Sequence, residues 1–277
     1  MTPNRIRRAS AVAALGLVSV LGLAACGSSD SGDGAEPGAS NSSGVSTIEA
    51  GKLKVCTHLP YKPFQFKEGS EVVGFDVELM DLVAKKLGLE QEIVDISFDQ
   101  ITSGAVFAAK KCDAAAAGTT ITDERAKALT FSEPYFDATQ ALITKKGSGF
   151  TDLASLKGKK VGVQTDTTGQ QYAEENKAAN GYTVVVFDDL ATEMAGVLAG
   201  RVDAAINDNG VVNDYVKDNP STEVVTEFDT GEQYGLMFPK TGSEKLVETA
   251  NEVLKASKED GSYNEIYKKW FGVDAPK

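Results

Sequence analysis

The chain has a single histidine, three cysteines and one tryptophan in 277 residues, and it contains no Cys-x-x-Cys. Zinc needs a cluster of histidine or cysteine ligands, so no metal is expected, and no other cofactor either. One imidazole leaves little room for a nucleophilic triad, and no glycine-rich phosphate loop is present, so no catalytic residue is assigned. Basic side chains are also scarce, with 28 against 40 acidic ones and a net charge of −12. That deficit argues against nucleic acid and anionic lipid headgroups as partners. Beyond the first 25 residues no apolar run is long enough to span a bilayer.

What is present begins with Arg5, Arg7 and Arg8, followed at 9–25 by an uncharged run rich in Ala, Leu, Val and Gly. A basic start before a short apolar run reads as a secretory signal peptide over residues 1–25. The run ends in Leu23, Ala24, Ala25 and Cys26, which resembles the lipobox at which bacterial lipoproteins are cleaved and acylated. Cys26 is therefore expected to be a lipidated N-terminus anchored to the cell membrane, with ordinary secretion and a free thiol as the alternative. Residues 27–46 are almost entirely Gly, Ser, Asp, Ala, Asn and Pro, so 26–48 is expected to be a flexible tether with a span of roughly 25 Å. Losing the signal leaves 25 basic against 40 acidic side chains, a net charge of −15. Cys56 and Cys112 remain where a disulfide can persist. The sequence leaves their pairing open; closing that loop would stabilise the fold by about 4 kcal/mol in the chain-entropy model.

Strand and helix patterns alternate along the rest. A strand is expected at 53–57, then a helix at Phe75–Leu87 with Val77, Met80, Val83, Ala84 and Leu87 on one face and Gly88 ending it. A strand at 92–98, a helix at 101–111 and a strand at 113–117 follow. The order recurs as strand Lys160–Gln164, helix 169–177, strand Thr183–Phe187, helix 191–198 and strand 202–206. Residues 104–115 even match 195–205 in order: a small-residue helix, a basic turn, then Asp-Ala-Ala entering a strand. A strand at 234–239 and helices over 243–271 close the chain. Alternation of this kind gives an α/β fold with parallel strands, and the repeat implies two similar lobes. Ligands of such sheets bind beyond the carboxyl ends of the strands.

After the third strand, Thr122 is a natural N-cap with Asp123 and Glu124 in the first turn. Arg125 then falls at the third helical position, where positive charge is disfavoured and a capping box would place Glu or Gln. An arginine there suits a carboxylate held in a bidentate pair, although an exposed helix arginine satisfies the spacing equally well.

The stretch 118–125 followed by Phe131, Ser132, Glu133, Pro134 and Tyr135 resembles the signature of bacterial extracellular solute-binding protein family 3. These are the polar amino-acid-binding proteins that serve ATP-binding-cassette (ABC) importers. The stretches 61–66, 73–77, 156–163 and 261–272 resemble it too, so the resemblance covers nearly all of 50–272. It implies a type II periplasmic-binding-protein fold: lobe 1 at 49–137 plus 234–277, lobe 2 at 138–233, and two hinge strands between them. It also implies that the protein is a monomer whose partner is the importer's transmembrane subunits. Carried over by position, Arg125 and the backbone of Thr120 hold an α-carboxylate, helped by Thr168 or Gly169. The carbonyl of Gly118, the hydroxyl of Thr120 and the carboxylate of Asp208 take the α-ammonium. Asp208 also follows an expected strand, though Asn207, Asp208, Asn209 and Gly210 read as a turn as well. Tyr61 and Phe98 match the aromatic walls, with core packing as their bland alternative. Trp270 reads as packing.

His58 stands where the family often has an aspartate facing the ligand side chain. With His58, Gln164 and Asn207 as uncharged selectivity groups, glutamine or asparagine is expected to fit best and glutamate next. Basic amino acids are disfavoured unless Asp166 or Glu232 turns into the pocket. Two rivals remain, an enzyme of this fold such as a dehydratase and a ligand-binding protein feeding a sensor. Sensors of this kind usually continue into a transmembrane segment, whereas this chain stops six residues after Phe271.

Overall fold

The structure, a computed structural model, describes residues 44–276. The expected signal peptide, the lipidation at Cys26 and most of the tether lie outside the described residues.

The first sheet is built from β1 (Lys52–Thr57), followed by a hairpin of β2 (Phe66–Glu68) and β3 (Glu71–Val73), and by α1 (Phe75–Leu87). Gly88, in the left-handed conformation, caps α1, whose buried residues Leu79, Met80, Val83 and Leu87 recur at helical spacing. Next come β4 (Glu90–Asp95), α2 (Phe98–Thr102), α3 (Ala105–Ala108), β5 (Ala114–Ala115), α4 (Arg125–Ala128) and β6 (Leu129–Phe131). The second sheet takes β7 (Phe136–Lys145), β8 (Lys160–Gln164), α5 (Thr168–Asn180), β9 (Thr183–Phe187), α6 (Leu190–Ala199), β10 (Ala204–Asp208), α7 (Asn209–Asp218) and β11 (Thr222–Tyr234). The chain returns to the first sheet with β12 (Met237–Pro239) and ends in α8 (Glu244–Asp260) and α9 (Ser262–Phe271). The strand orders are β4-β1-β5-β12-β6 and β11-β7-β10-β8-β9. Two α/β lobes therefore stand side by side, as a type II periplasmic-binding-protein fold requires.

The repeated Asp-Ala-Ala has a physical reason. Asp113 donates its N–H to the Lys54 carbonyl at 2.8 Å, and its carboxylate accepts the Lys54 N–H at 2.9 Å. Asp203 does the same with Lys160, at 2.8 and 2.9 Å. Each aspartate thus closes the open end of a neighbouring parallel strand, where the ladder leaves backbone groups unpaired.

Several expected elements move. The strand placed at 92–98 stops at Asp95, and Phe98 instead opens α2. The helix placed at 101–111 splits into α2 and α3 around Ser103 and Gly104, where Gly104 is left-handed at φ 75°. The strand placed at 113–117 pairs only through Ala114 and Ala115. That placed at 202–206 begins two residues later, because Asp203 is spent on capping Lys160, and so β10 carries Asn207 and Asp208 within it. The turn reading of Asp208 falls with that shift. The strands β7 and β11 were expected only near the hinge, yet they run antiparallel along most of their length, from Lys145 opposite Thr222 to Phe136 opposite Tyr234.

The first lobe carries an aromatic cluster that the second lobe touches at Gly210. Phe64 is fully buried and sits edge-on to Phe75, Phe136, Tyr234 and Phe271, with ring centroids 5.0 to 6.2 Å apart. Gly210, the second residue of α7, lies against the same ring, where a Cβ would come within 3.1 Å of it. Cys56 and Cys112 are joined in a disulfide with Cα atoms 5.6 Å apart, both within the first lobe. Among the described residues, no helix is long and apolar enough to cross a membrane.

Candidate functional site

The carboxyl ends of β1, β5, β8 and β10 face one cleft, and the chain immediately beyond them supplies its walls. His58 follows β1, Ala117 and Gly118 follow β5, Gln164 ends β8, and Asp208 ends β10. Tyr61, Gln65, Phe98, Thr120, Arg125, Thr167 and Thr168 complete the lining. The walls stand so close that a water-sized sphere fits at little more than one place between them. A wider groove beside α8 is lined by exposed Glu244, Glu248 and Lys255 and gathers no buried charge.

Arg125 is the first residue of α4, not the third as expected, because Asp123 and Glu124 form a turn outside it. Glu124 takes the cap position in place of Thr122 and makes no side-chain cap bond, though the Thr122 hydroxyl oxygen accepts the Arg125 N–H at 3.2 Å. The guanidinium is half-buried and lies over the Phe98 ring, 5.4 Å from its centroid. Nη1 donates to the Thr120 carbonyl at 2.9 Å and Nη2 to the Asp166 carbonyl at 2.8 Å. Loss of hydration lowers its pKa, against the opposing pull of Asp208 and Glu232. Arg125 forms no ion pair among the described residues, and three of its five N–H groups remain for a ligand.

Asp208 is its electrostatic counterpart. Its Oδ2 accepts the hydroxyl of Tyr61 at 2.9 Å and that of Tyr234, and its Oδ1 accepts Gln140 Nε2 at 2.5 Å. Burial, then the nearby Glu232, raise its pKa to about 6, while those three donors pull the other way. Gly118 has φ 54°, and a Cβ there would strike the Tyr61 ring at 2.8 Å, so the turn requires glycine. Its N–H donates to Asp76 at 2.7 Å, and the same carboxylate accepts the Tyr135 hydroxyl at 2.8 Å.

Of the residues singled out in sequence, His58, Tyr61, Phe98, Gly118, Thr120, Arg125, Gln164, Thr168 and Asp208 come together on the cleft. Gly169 and Asn207 do not reach it. Gly169 packs against Gln140, and Asn207 lies behind Tyr61, with Nδ2 donating to Glu193 at 2.7 Å and Oδ1 accepting from the Tyr61 hydroxyl at 3.0 Å. Asp166 keeps its side chain exposed at the mouth, whereas Glu232 turns inward. The Glu232 carboxylate accepts the hydroxyls of Thr120 and Thr168 at 2.7 and 2.6 Å and Gln140 Nε2 at 3.0 Å. The sequence left open whether Glu232 enters the pocket; its buried carboxylate lies behind Thr120 and Thr168, beside the lining of the cleft rather than in it. Trp270 packs on Phe66 and donates to Glu78, away from the cleft.

Sequence reasoning missed Gln140, Glu193 and Asp76. Glu193 carried a readable signal, since Leu190, Glu193, Met194 and Val197 form one apolar stripe with a carboxylate in it. The distal wall has its own pattern. His58 Nδ1 lies 3.0 Å from the Ile96 carbonyl, a contact that needs its proton on Nδ1, and in the neutral ring of that tautomer Nε2 is an acceptor. His58 Nε2, Gln65 Oε1 and Gln164 Oε1 are all buried with no hydrogen-bond donor from the protein.

Residues 53–273 match the family model of bacterial extracellular solute-binding proteins, family 3. The chain is 33% identical over 252 residues to the arginine-binding extracellular protein ArtP of Bacillus subtilis (strain 168), covering 90% of this chain and 92% of that protein. It is 31% identical to the L-cystine-binding protein TcyA of the same organism, covering 94% of this chain and 96% of that protein. The structure of an ancestral arginine-binding protein bound to arginine superimposes with a TM-score of 0.75 at 42% identity, over 80% of this chain and 99% of that one.

Proposed function

We propose, from the premise that the chain belongs to the bacterial extracellular solute-binding proteins, family 3, that it takes an L-amino acid between its lobes for an ABC importer. The observation that carries this reading is the pairing of Arg125 and Asp208 in one cleft, a cation with free N–H groups facing a buried carboxylate. That is the charge complement of a zwitterion. Arg125, the Thr120 N–H and Thr168 at the start of α5 take the α-carboxylate, where the helix dipole helps. Asp208, the Gly118 carbonyl and the Thr120 hydroxyl take the α-ammonium. Tyr61 and Phe98 flank the aliphatic part.

The side-chain preference differs from the sequence expectation. His58 Nε2, Gln65 Oε1 and Gln164 Oε1 are acceptors without donors, and the buried Glu232 carboxylate stands behind Thr120 and Thr168. Leaving such acceptors unpaired is costly, so a ligand rich in N–H donors gains most. A guanidinium supplies five, an amide two and a carboxylate none. Arginine therefore ranks first, glutamine second and glutamate last, in keeping with the arginine-binding relatives. A calorimetric panel of the twenty amino acids tests this order, and glutamate binding tighter than arginine would overturn it.

The remaining assignments belong to the same reading: a monomer outside the cytoplasm, held to the membrane by lipidated Cys26, with hinges near 135–140 and 232–234. The protein returns its ligand unchanged. Mass spectrometry of arginine and glutamine after incubation distinguishes this from turnover.

A further inference from the structure

Asp166 adopts a backbone conformation that most side chains resist and that aspartate is among the few to tolerate. Its φ is 59°, in the left-handed region where a side chain is disfavoured, and its carboxylate sits exposed at the mouth of the cleft. The turn around it is braced on both sides. Its N–H donates to Gln170 Oε1 at 2.8 Å, the Thr167 hydroxyl donates to the Gln164 carbonyl at 2.7 Å, and Thr167 Oγ1 accepts the Gln170 N–H at 3.0 Å. With those groups committed, the Asp166 carbonyl is free to face the opposite wall, and there it accepts Arg125 Nη2 at 2.8 Å. Arg125 stands on the first lobe and Asp166 on the second, so this contact forms only when the lobes are together.

We propose that Asp166 is a positioning residue whose left-handed backbone presents its carbonyl to Arg125, orienting the guanidinium for its ligand as the cleft closes. The inference rests on the reading of Arg125 as the carboxylate anchor. Two backbone carbonyls, one from each wall, fix the guanidinium plane, because its donors form a rigid fork. Backbone carbonyls carry no full charge, so they orient Arg125 without neutralising it, which a carboxylate at the same place would do. The side chain of Asp166 is dispensable in this role and its backbone conformation is not.

Two variants separate carbonyl from carboxylate. Asp166→Gly keeps the left-handed conformation and deletes the side chain, whereas Asp166→Val disfavours that conformation strongly. With L-arginine as probe, Asp166→Gly is expected to bind within about threefold of the parent and Asp166→Val at least about tenfold more weakly. The loss should lie in faster dissociation with association unchanged, because the contact forms after encounter. Nitrogen-15 NMR of the protein saturated with L-arginine, where the lobes are together, gives an independent readout. Rotation of the Arg125 Nη groups should be slow in the parent and in Asp166→Gly, and fast in Asp166→Val. Should Asp166→Val fail to fold, Asp166→Ala carries the same test with a smaller expected loss. Equal binding by parent and Asp166→Val, or an Asp166→Gly as weak as Asp166→Val, would overturn the inference. A parent that binds no amino acid would instead overturn the function on which the inference rests.

Discussion

The hydroxyl of Tyr61 donates to the carboxylate of Asp208 at 2.9 Å, so a side chain of the first lobe reaches a buried charge of the second. Asp208 is held by donors from both lobes before any ammonium meets it, and Gln140 ties it further to Glu232. Closure and charge recognition therefore depend on the same few atoms.

Arg125→Ala should abolish useful amino-acid binding while leaving the fold in place, since within the protein the guanidinium bonds two backbone carbonyls and lies on the Phe98 ring without an ion pair. Truncating one side of a buried charge pair costs about 2 to 5 kcal/mol, or roughly thirty- to several-thousand-fold in affinity. Calorimetry showing less than a threefold loss would remove Arg125 from the site.

Affinity should fall as the solution is acidified below about pH 6, because Asp208 then takes up a proton and can no longer meet an ammonium as an anion. Titrations at pH 5 and pH 7.5 check this, and equal affinities at the two would show that another group receives the ammonium.

Stability should move the opposite way from that of most acid-sensitive proteins. Burial raises Asp76 to about 7, Glu193 to about 8 and Asp208 to about 6. Each keeps its proton in the folded state over a range where the unfolded chain has released it. The folded state thus binds more protons between about pH 4 and 8, and stability falls as pH rises through that window. Without ligand, Tm is expected to be several degrees lower at pH 8 than at pH 5.5, and Glu193→Gln should flatten the slope above pH 6. A Tm that climbs over this range would contradict the assignment.

Lys62 is set to latch the closed form from outside the cleft. It pairs with Asp218 at 2.8 Å and with Asp214 at 3.4 Å, both on α7 of the other lobe. Exposed pairs contribute at most about 1 kcal/mol and are screened by salt. Lys62→Ala should weaken ligand binding by about two- to fivefold at low ionic strength, with the difference gone near 0.5 M salt. A loss that persists at high salt would mean that Lys62 acts by some other route.

Ligand should also change the distribution of lobe separations in solution, because the walls stand too close to admit an amino acid without parting. Small-angle scattering with and without saturating arginine checks the motion; superimposable curves would count against a hinge.

Much of this was legible in the residues. Strands β8 and β9 and helix α1 lay where the pattern put them, because each combines a clean apolar period with a terminating glycine or turn. Arg125 stood out as a cation in the first turn of a helix and Asp208 as a charge at a strand end. The direction of Glu232 was not legible, since an acidic residue near a hinge reads the same whether it faces water or Thr120. Asn207 misled for the converse reason: adjacency to Asp208 implied a shared face, whereas neighbours along a strand point to opposite sides. The acceptor character of His58 depends on the Ile96 carbonyl, 38 residues away, which no local pattern reveals.

The disulfide between Cys56 and Cys112 couples the strand that leads to His58 with the segment that leads to Gly118. Because both sulfurs belong to one jaw, the crosslink braces the wall that reads the ligand and leaves the travel of the other jaw unrestrained. A staple between the jaws would have turned a shuttle into a trap. This one makes one half of the clamp an anvil, against which the other half is free to open and deliver.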